Sequence, residues 1–242
     1  MNRSVRKCQG IFNRSFQYSI RPGTVGLVND PVAVDVAPEA APAGRGRGRP
    51  RGFDEEDVLD ELTQLFVERG YEATSISDIA EVTGLNKSSL YNTFGSKHEL
   101  FERILDRYVS ARLAGLAAAV EVSGSGIDGL HAFLELVRSE RDTPMGTYGC
   151  LAISSGVELG STSPAVASLV GVFRSRIEEQ LRATLALAAE AGEIEPAHVE
   201  HYATMVMVLM LGVSVAFRSG ADDDEIERIF AAAHATIDTW RV

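Results

Sequence analysis

Cysteine is nearly absent from these 242 residues: Cys8 and Cys150 stand alone, with no CxxC pair and no metal-ligand spacing around them. A disulfide framework is therefore excluded, and a reducing cytoplasm is the expected compartment. Runs of β-branched residues are scarce as well, which argues against a sheet. There is no Gly-rich phosphate loop, no HExxH, no GxSxG and no Cys/His pair in sequence context, so no enzyme class and no cofactor is indicated. The most apolar stretch, 205–217, falls short of the ~20 residues of a membrane span and reads as a buried helix, so no membrane partner is expected. Arg3, Arg6 and Lys7 lie near the start without a following apolar segment, so a secretory signal is not expected either.

What is present is mostly helix-forming. Apolar residues make up 45% of the chain and recur three and four apart, with Ala and Leu dominating the second half. The net charge of −11 conceals an asymmetry: residues 1–51 hold nine Lys/Arg against three Asp/Glu, leaving the remaining residues strongly acidic. A basic arm on an acidic body suits local contact with phosphates without indiscriminate nucleic-acid binding. Residues 1–44 show no sustained period and read as a disordered extension. Next, Arg45-Gly46-Arg47-Gly48-Arg49-Pro50-Arg51 alternates basic with small residues, so that Arg47, Arg49 and Arg51 can reach phosphates or a narrow minor groove. Arg47-Gly48-Arg49-Pro50 also matches the core of AT-hook minor-groove peptides; a short basic linker is the plainer alternative.

Four short helices are expected to follow. The acidic run 54–57 opens the first, Val58, Leu59, Leu62, Leu65 and Phe66 form its apolar face, and Gly70 ends it. Thr74 or Ser75 caps a second helix with Ile79 and Ala80 inward. Thr83-Gly84-Leu85 makes a turn, and Asn86 caps a third helix, 87–94, with Leu90 and Phe94 inward. Ser96 caps a fourth that runs to about residue 119. Two short helices across a Gly-containing turn are the helix-turn-helix plan, whose second helix enters the major groove. The outward residues of that helix, Lys87, Ser88, Ser89, Tyr91 and Asn92, are small or hydrogen-bonding, and no carboxylate occurs between Glu81 and Glu99. Beyond residue 120 longer helices are expected over 127–141, 150–159, 164–191, 197–218 and 222–241. The fold class is all-α: an N-terminal three-helix helix-turn-helix domain followed by a C-terminal helical bundle.

Residues 74–101, TSISDIAEVTGLNKSSLYNTFGSKHELF, resemble the signature of the tetracycline-repressor-like (TetR/AcrR) family of transcription regulators at Thr74, Ile79, Ala80, Gly84, Leu90, Tyr91, Phe94, Lys97, Leu100 and Phe101. The likeness spans roughly residues 49–108. Asn86 stands where Ser or Thr is frequent, Thr93 where an aromatic is, Gly95 where Pro is, and His98 where an acid is, so the base preference is unreadable. The resemblance implies that Thr74, Ser75, Tyr91 and Lys97 hold phosphates while Asn86, Lys87, Ser88, Ser89 and Asn92 lie nearest the base edges. It also implies a homodimer on a palindromic double-stranded operator, most simply a repressor released by a small-molecule effector. The division expected is 1–44 extension, 45–98 DNA-binding domain with its basic arm, and 99–242 regulatory and dimerisation domain.

In the C-terminal half, helix 197–218 is apolar on more than one face, which favours an interface helix, with a buried core helix as the rival. Phe133, Met145, Tyr148, Cys150 and Phe173 are the candidates for lining an effector pocket, each with a core role as the alternative. Cys150 opens a helix, where a thiol's pKa falls, and resembles a Gly-Cys segment in members of the family that sense electrophiles; a buried cysteine acting as a small hydrophobe is the competing reading. His198 and His201 flank Glu200 as half a metal site and, without a third ligand, read as solvent-facing. An enzyme or a helical adaptor without DNA binding remains the alternative from another class.

Overall fold

The computed structural model describes residues 53–123, 126–143 and 146–242, and those residues form nine α-helices and no strand. The expectations for the 1–44 extension, for Arg47, Arg49 and Arg51 of the basic arm, and for Met145 lie outside the described residues. Helix α1 spans Glu55–Arg69, α2 Ile76–Thr83, α3 Lys87–Phe94, α4 Lys97–Ser123, α5 Gly126–Glu140, α6 Leu151–Leu159, α7 Pro164–Glu190, α8 Val199–Arg218 and α9 Asp223–Asp238. Short 3₁₀ turns at Gly146–Tyr148 and Pro196–His198 precede α6 and α8. The boundaries agree with the apolar periodicity to within a residue or two, except that α4 runs on to Ser123, four residues past the expected end, and α9 stops short of residue 241.

Local chemistry sets the helix starts. Asp54 caps α1 by accepting from the Glu56 amide at 2.9 Å, and Glu55, Glu56 and Asp57 place negative charge at the positive end of the helix dipole. Ser75 and Asp78 exchange hydrogen bonds as a capping box on α2. Ser96 and Glu99 do the same for α4: the Ser96 amide donates to Glu99 at 2.7 Å and the Glu99 amide to the Ser96 hydroxyl at 3.2 Å. Pro164 sits in the first turn of α7, where its missing N–H costs nothing, behind the Ser163 cap.

Two apolar clusters follow from the faces these helices bury. The first runs from α1, α2 and α3 through Leu100, Phe101, Ile104 and Leu105 of α4 into Leu151 of α6 and Val166 and Phe173 of α7. Phe66 and Phe101 meet edge to face at its centre, with ring centroids 4.9 Å apart. The second joins α5, the later part of α7, α8 and α9 around Leu130, Leu185, Val206 and Phe230. Ile177 touches both. The helix-turn-helix is thus packed directly onto the regulatory half through one continuous core.

Helix α8 corrects the expectation of a buried helix over 205–217. It forms over 20 residues, and with the preceding turn is long and apolar enough by length and composition to cross a membrane, yet only one side is covered. Ala203, Val206, Met207, Val213 and Phe217 are buried, whereas Met205, Val208 and Val215, spaced three and seven apart, are about half exposed. An apolar stripe along α8 is thus left uncovered within the chain.

Candidate nucleic-acid interface and effector cavity

The turn before α3 is made by Gly84, whose φ of 65° is the left-handed conformation that only glycine enters without strain. Asn86 then caps α3, accepting from the Ser89 amide at 2.8 Å. Leu90 and Phe94 anchor the inner face, with Leu90 1% exposed, so the opposite face is fixed by the 3.6-residue period. Lys87, Ser88, Tyr91 and Asn92 project outward and Ser89 lies half-buried at the edge. Tyr91 is 52% exposed, so it has no packing role in the core beside Leu90. The described structure therefore brings Lys87, Ser88, Tyr91 and Asn92 together on one surface, with Asn86 at its head and its side-chain oxygen already committed to the cap.

Three flanking residues behave differently. Thr74 corrects the expectation of a side-chain phosphate contact: it is fully buried, and its hydroxyl donates to the Gly70 carbonyl at 2.7 Å. Ser75 is exposed, but its hydroxyl donates to Asp78 at 2.5 Å and accepts from the Asp78 amide at 3.2 Å, so its first duty is the capping box. The hydroxyl's donation and that of the Ser75 amide, at 2.7 Å, hold the Asp78 carboxyl below the usual carboxylate range, with Arg69 at 3.0 Å adding to the effect. Lys97 lies half-buried with its ammonium 4.0 Å above the Tyr71 ring, a cation–π contact that positions the charge at the start of α4.

A grip on the α1–α2 turn was not legible in the sequence. The Glu158 carboxylate at the end of α6 accepts from the Tyr71 amide at 2.8 Å and the Glu72 amide at 3.4 Å. From the end of α8, Arg218 donates to the Val67 carbonyl and, at 3.2 Å, to the Glu68 carbonyl, closing the C-terminal end of α1. Gly70 sits between these side chains with φ 81°, and a Cβ there would fall 2.3 Å from Glu158 Oε1 and 3.0 Å from Arg218 Nη2. Nearer the start of α1, Arg107 of α4 pairs with Glu56 at 2.9 Å and Asp60 at 3.1 Å.

Between the two apolar clusters lies a cavity of about 70 Å³, walled by α4, α5, α6, α7 and α8. Phe133, Cys150 and Phe173 line it. Tyr148 does not: it lies in the 3₁₀ turn, 39% exposed, because Gly149, itself buried against the Ser214 carbonyl of α8, turns the chain inward only after it. The sequence reading missed the polar corner of the cavity. Arg112 donates both guanidinium arms to Glu140, each at 2.7 Å, in a bidentate pair whose residual exposure of 18% and 14% faces the cavity. Burial alone would lower the Arg112 pKa, but Glu140, and after it Tyr108, outweigh it and raise it, so the guanidinium stays charged. Beside the pair, the Tyr108 hydroxyl donates to Cys150 Sγ at 3.7 Å and accepts from the Leu151 amide at 3.3 Å. Burial first, and then the Cys150 sulfur, push the Tyr108 phenol well above its ordinary value.

Removing one charge from this pair leaves the other with an incompletely compensated charge in low dielectric. Glu140→Gln is expected to lower unfolding free energy by about 3–5 kcal/mol, read from the shift in denaturant midpoint. Replacing both partners together, Arg112→Met with Glu140→Leu, should recover most of that loss; equal destabilisation by the single and double replacements would contradict the account.

Residues 58–104 match the family model of bacterial regulatory proteins, tetR family, and residues 126–233 match that of the tetracyclin repressor-like C-terminal domain. The HTH-type transcriptional repressor ComR of Escherichia coli (strain K12) is 31% identical over 201 residues, covering 81% of this chain and 93% of ComR. A TetR transcriptional regulator of Chloroflexus aurantiacus superposes with a TM-score of 0.68 at 25% identity over 77% of this chain and 94% of its own. A cysteine-substituted CifR solved with a 26-base-pair operator duplex superposes with a TM-score of 0.64 over 79% of this chain and all of its own, and at 24% identity it speaks for the fold alone. These relatives are regulators of transcription and not enzymes. With the helix-turn-helix on the first matched segment and most of the cavity wall on the second, this chain belongs to the tetR family of bacterial regulatory proteins and is a helix-turn-helix transcriptional regulator.

Proposed function

We propose that the protein is a cytoplasmic homodimeric repressor that binds a near-palindromic operator through α3 and lets go when a small, largely apolar molecule enters the cavity. The observation that carries the reading is the outer face of α3: exposed Lys87, Ser88, Tyr91 and Asn92 on a helix capped and anchored from within, with no carboxylate between Glu81 and Glu99. Asn86, Lys87, Ser88, Ser89 and Asn92 are assigned to base edges, and Tyr91, Lys97 and the start of α2 at Ser75 to phosphates, with Arg47, Arg49 and Arg51 reaching the adjacent groove. Two copies are needed to read two successive major grooves. The uncovered Met205, Val208 and Val215 on α8 supply apolar surface for the contact between them. The residue division 45–98 and 99–242 describes the two functions, joined by α4.

Release follows from the walls of the cavity. Its volume of about 70 Å³ is well below the ~300–1,000 Å³ of ordinary ligand pockets, so an effector must part the helices to enter. Ile153 of α6 and Met210, Ser214 and Phe217 of α8 form part of that wall, and the C-terminal ends of the same two helices carry Glu158 and Arg218. Widening the cavity therefore moves the grip on the α1–α2 turn and, with it, α3. The effector acts because it binds the widened state better than the closed one. ComR is described as a repressor, which supports the same direction here.

A selection of genomic fragments with the purified protein, followed by titration at several salt concentrations, tests the reading. It should yield a short near-palindrome, and affinity should fall steeply with salt. Lys87→Ala and Tyr91→Ala should each weaken binding by about 1–3 kcal/mol without altering the melting temperature. Unchanged affinity in both variants would remove α3 from the interface.

A second reading of the release step rests on the Tyr108–Cys150 contact in the cavity wall. An electrophilic effector would be attacked by the Cys150 sulfur, forming a thioether while the thiol proton passes to the adduct, and Tyr108 would hold the thiolate by its hydrogen bond. N-ethylmaleimide then releases the wild type from the selected operator and leaves Cys150→Ser bound. Equal release of both proteins refutes this route.

A further inference from the structure

On the side of α5 away from the cavity runs a polar seam with α9 and the residues that follow it. Its rungs are Asp128–Arg241 at 2.6 Å, His131–Asp238 at 2.9 Å, His131–His234 at 2.6 Å, His234–Glu135 at 3.0 Å and Arg138–Glu227 at 2.8 Å. All but one of these join a cation-forming side chain to a carboxylate. The exception is His131 Nδ1 against His234 Nδ1, two like atoms at a strong hydrogen-bond distance.

The geometry fixes what lies between them. The ring centroids are 4.8 Å apart with planes 22° from parallel. That separation equals the Nδ1···Nδ1 distance plus two ring radii, so the imidazoles meet edge on, in line, and not face to face. Each Nε2 points at a carboxylate, Asp238 for His131 and Glu135 for His234, and so carries a hydrogen. With both Nε2 atoms protonated, both Nδ1 lone pairs aim at one another, and a proton between them turns repulsion into a charge-assisted bond. Three hydrogens on four nitrogens make one imidazole and one imidazolium. The other charged groups facing the pair among the described residues are Arg138, bonded to both Glu135 and Glu227, and the Arg241–Asp128 rung one turn away.

We propose that His131 and His234 form a proton-operated clamp between α5 and α9, closed while the pair shares a single proton and opened by acid. A second proton sets two N–H groups head to head at 2.6 Å, so the rings must part and the seam loses its central rung. Loss of the shared proton instead leaves two hydrogens for four nitrogens, so one carboxylate loses its donor while the rings can remain joined. The acid side is therefore the opening side. The functional consequence rests on the dimer reading above: α9 packs beside α8, and Phe133, Val137 and Glu140 on the opposite face of α5 wall the cavity, so the clamp ties the subunit contact to the effector site.

Histidine-ring NMR on the full chain, from about pH 8 to about pH 5, tests the clamp, with H131Q and H234Q assigning the signals. In the wild type, His131 and His234 should report the same two separate inflections, both Nε2 atoms protonated above the acid step, as coupled sites do. In H131Q the His234 signal should collapse to a single inflection. Single, independent inflections in the wild type, unchanged for either residue when the other is replaced, overturn the clamp. So does stoichiometric uptake of added zinc with displacement of both ring signals at neutral pH, which would make the pair a metal site. Sedimentation over the same range reads the dimer separately. Its dissociation constant should rise at least about tenfold across the acid step in the wild type, about 1.4 kcal/mol, and stay flat in H131Q/H234Q. A flat wild-type constant beside coupled ring titrations overturns the link to assembly, and a monomer at every pH overturns the dimer reading while the ring signals still decide the clamp.

Discussion

Gly70 is squeezed between two side chains that arrive from the far half of the molecule, Glu158 from α6 and Arg218 from α8, and the placement of the recognition helix depends on that contact. The carboxylate takes the amides of Tyr71 and Glu72, and the guanidinium takes the last carbonyls of α1. Each satisfies backbone groups that a helix end and a tight turn leave without partners. The turn accepts them because Gly70 has no Cβ and can hold a φ of 81°. Thr74 completes it by donating to the Gly70 carbonyl from inside. Helix α2 starts two residues later, and α3 follows across the Gly84 turn, so the bundle holds the outer face of α3 by a few directional bonds as well as by the shared apolar core.

The same two helices that end in the grip also border the cavity. Its polar corner is electrically balanced, since Arg112 and Glu140 satisfy one another bidentately and leave no net charge to attract an ion. Apolar side chains such as Leu116, Phe173 and Leu211 make up most of the remaining wall. A site of this kind selects by shape and apolar area, with the ion pair and the Cys150 thiol offering orientation. The buried pair is expensive to desolvate and is a weak source of stability in itself; it holds α4 against α5 in one geometry.

Local chemistry was readable in advance and distant chemistry was not. The caps at Asn86 and Ser96, the Gly84 turn and the inward Leu90 and Phe94 follow from residues a few positions apart, and period and capping alone place them. The outward face of α3 follows by subtraction. Thr74 resisted because a threonine before a helix can as well face solvent as complete a turn; its burial is decided by Gly70 and by the packing of α1, which no local rule supplies. Tyr148 and Cys150 are two residues apart, yet the positive φ at Gly149 sends only the second into the cavity. The pairs joining Glu158 to Tyr71, Arg218 to Val67 and His131 to His234 link positions 87, 151 and 103 residues apart. Charged residues on amphipathic helices all read as solvated faces until the helices are brought together.

Amide hydrogen exchange on the intact protein, comparing wild type with Glu158→Ala, tests most directly whether the bundle governs the recognition helix through this turn. The account predicts faster exchange at Tyr71 and Glu72 that extends into residues 87–94 of α3, while the amides of α5 and α9 keep their protection. Faster exchange confined to Tyr71 and Glu72, with α3 as protected as before, would contradict it and show that the placement of α3 does not depend on the Glu158 contact.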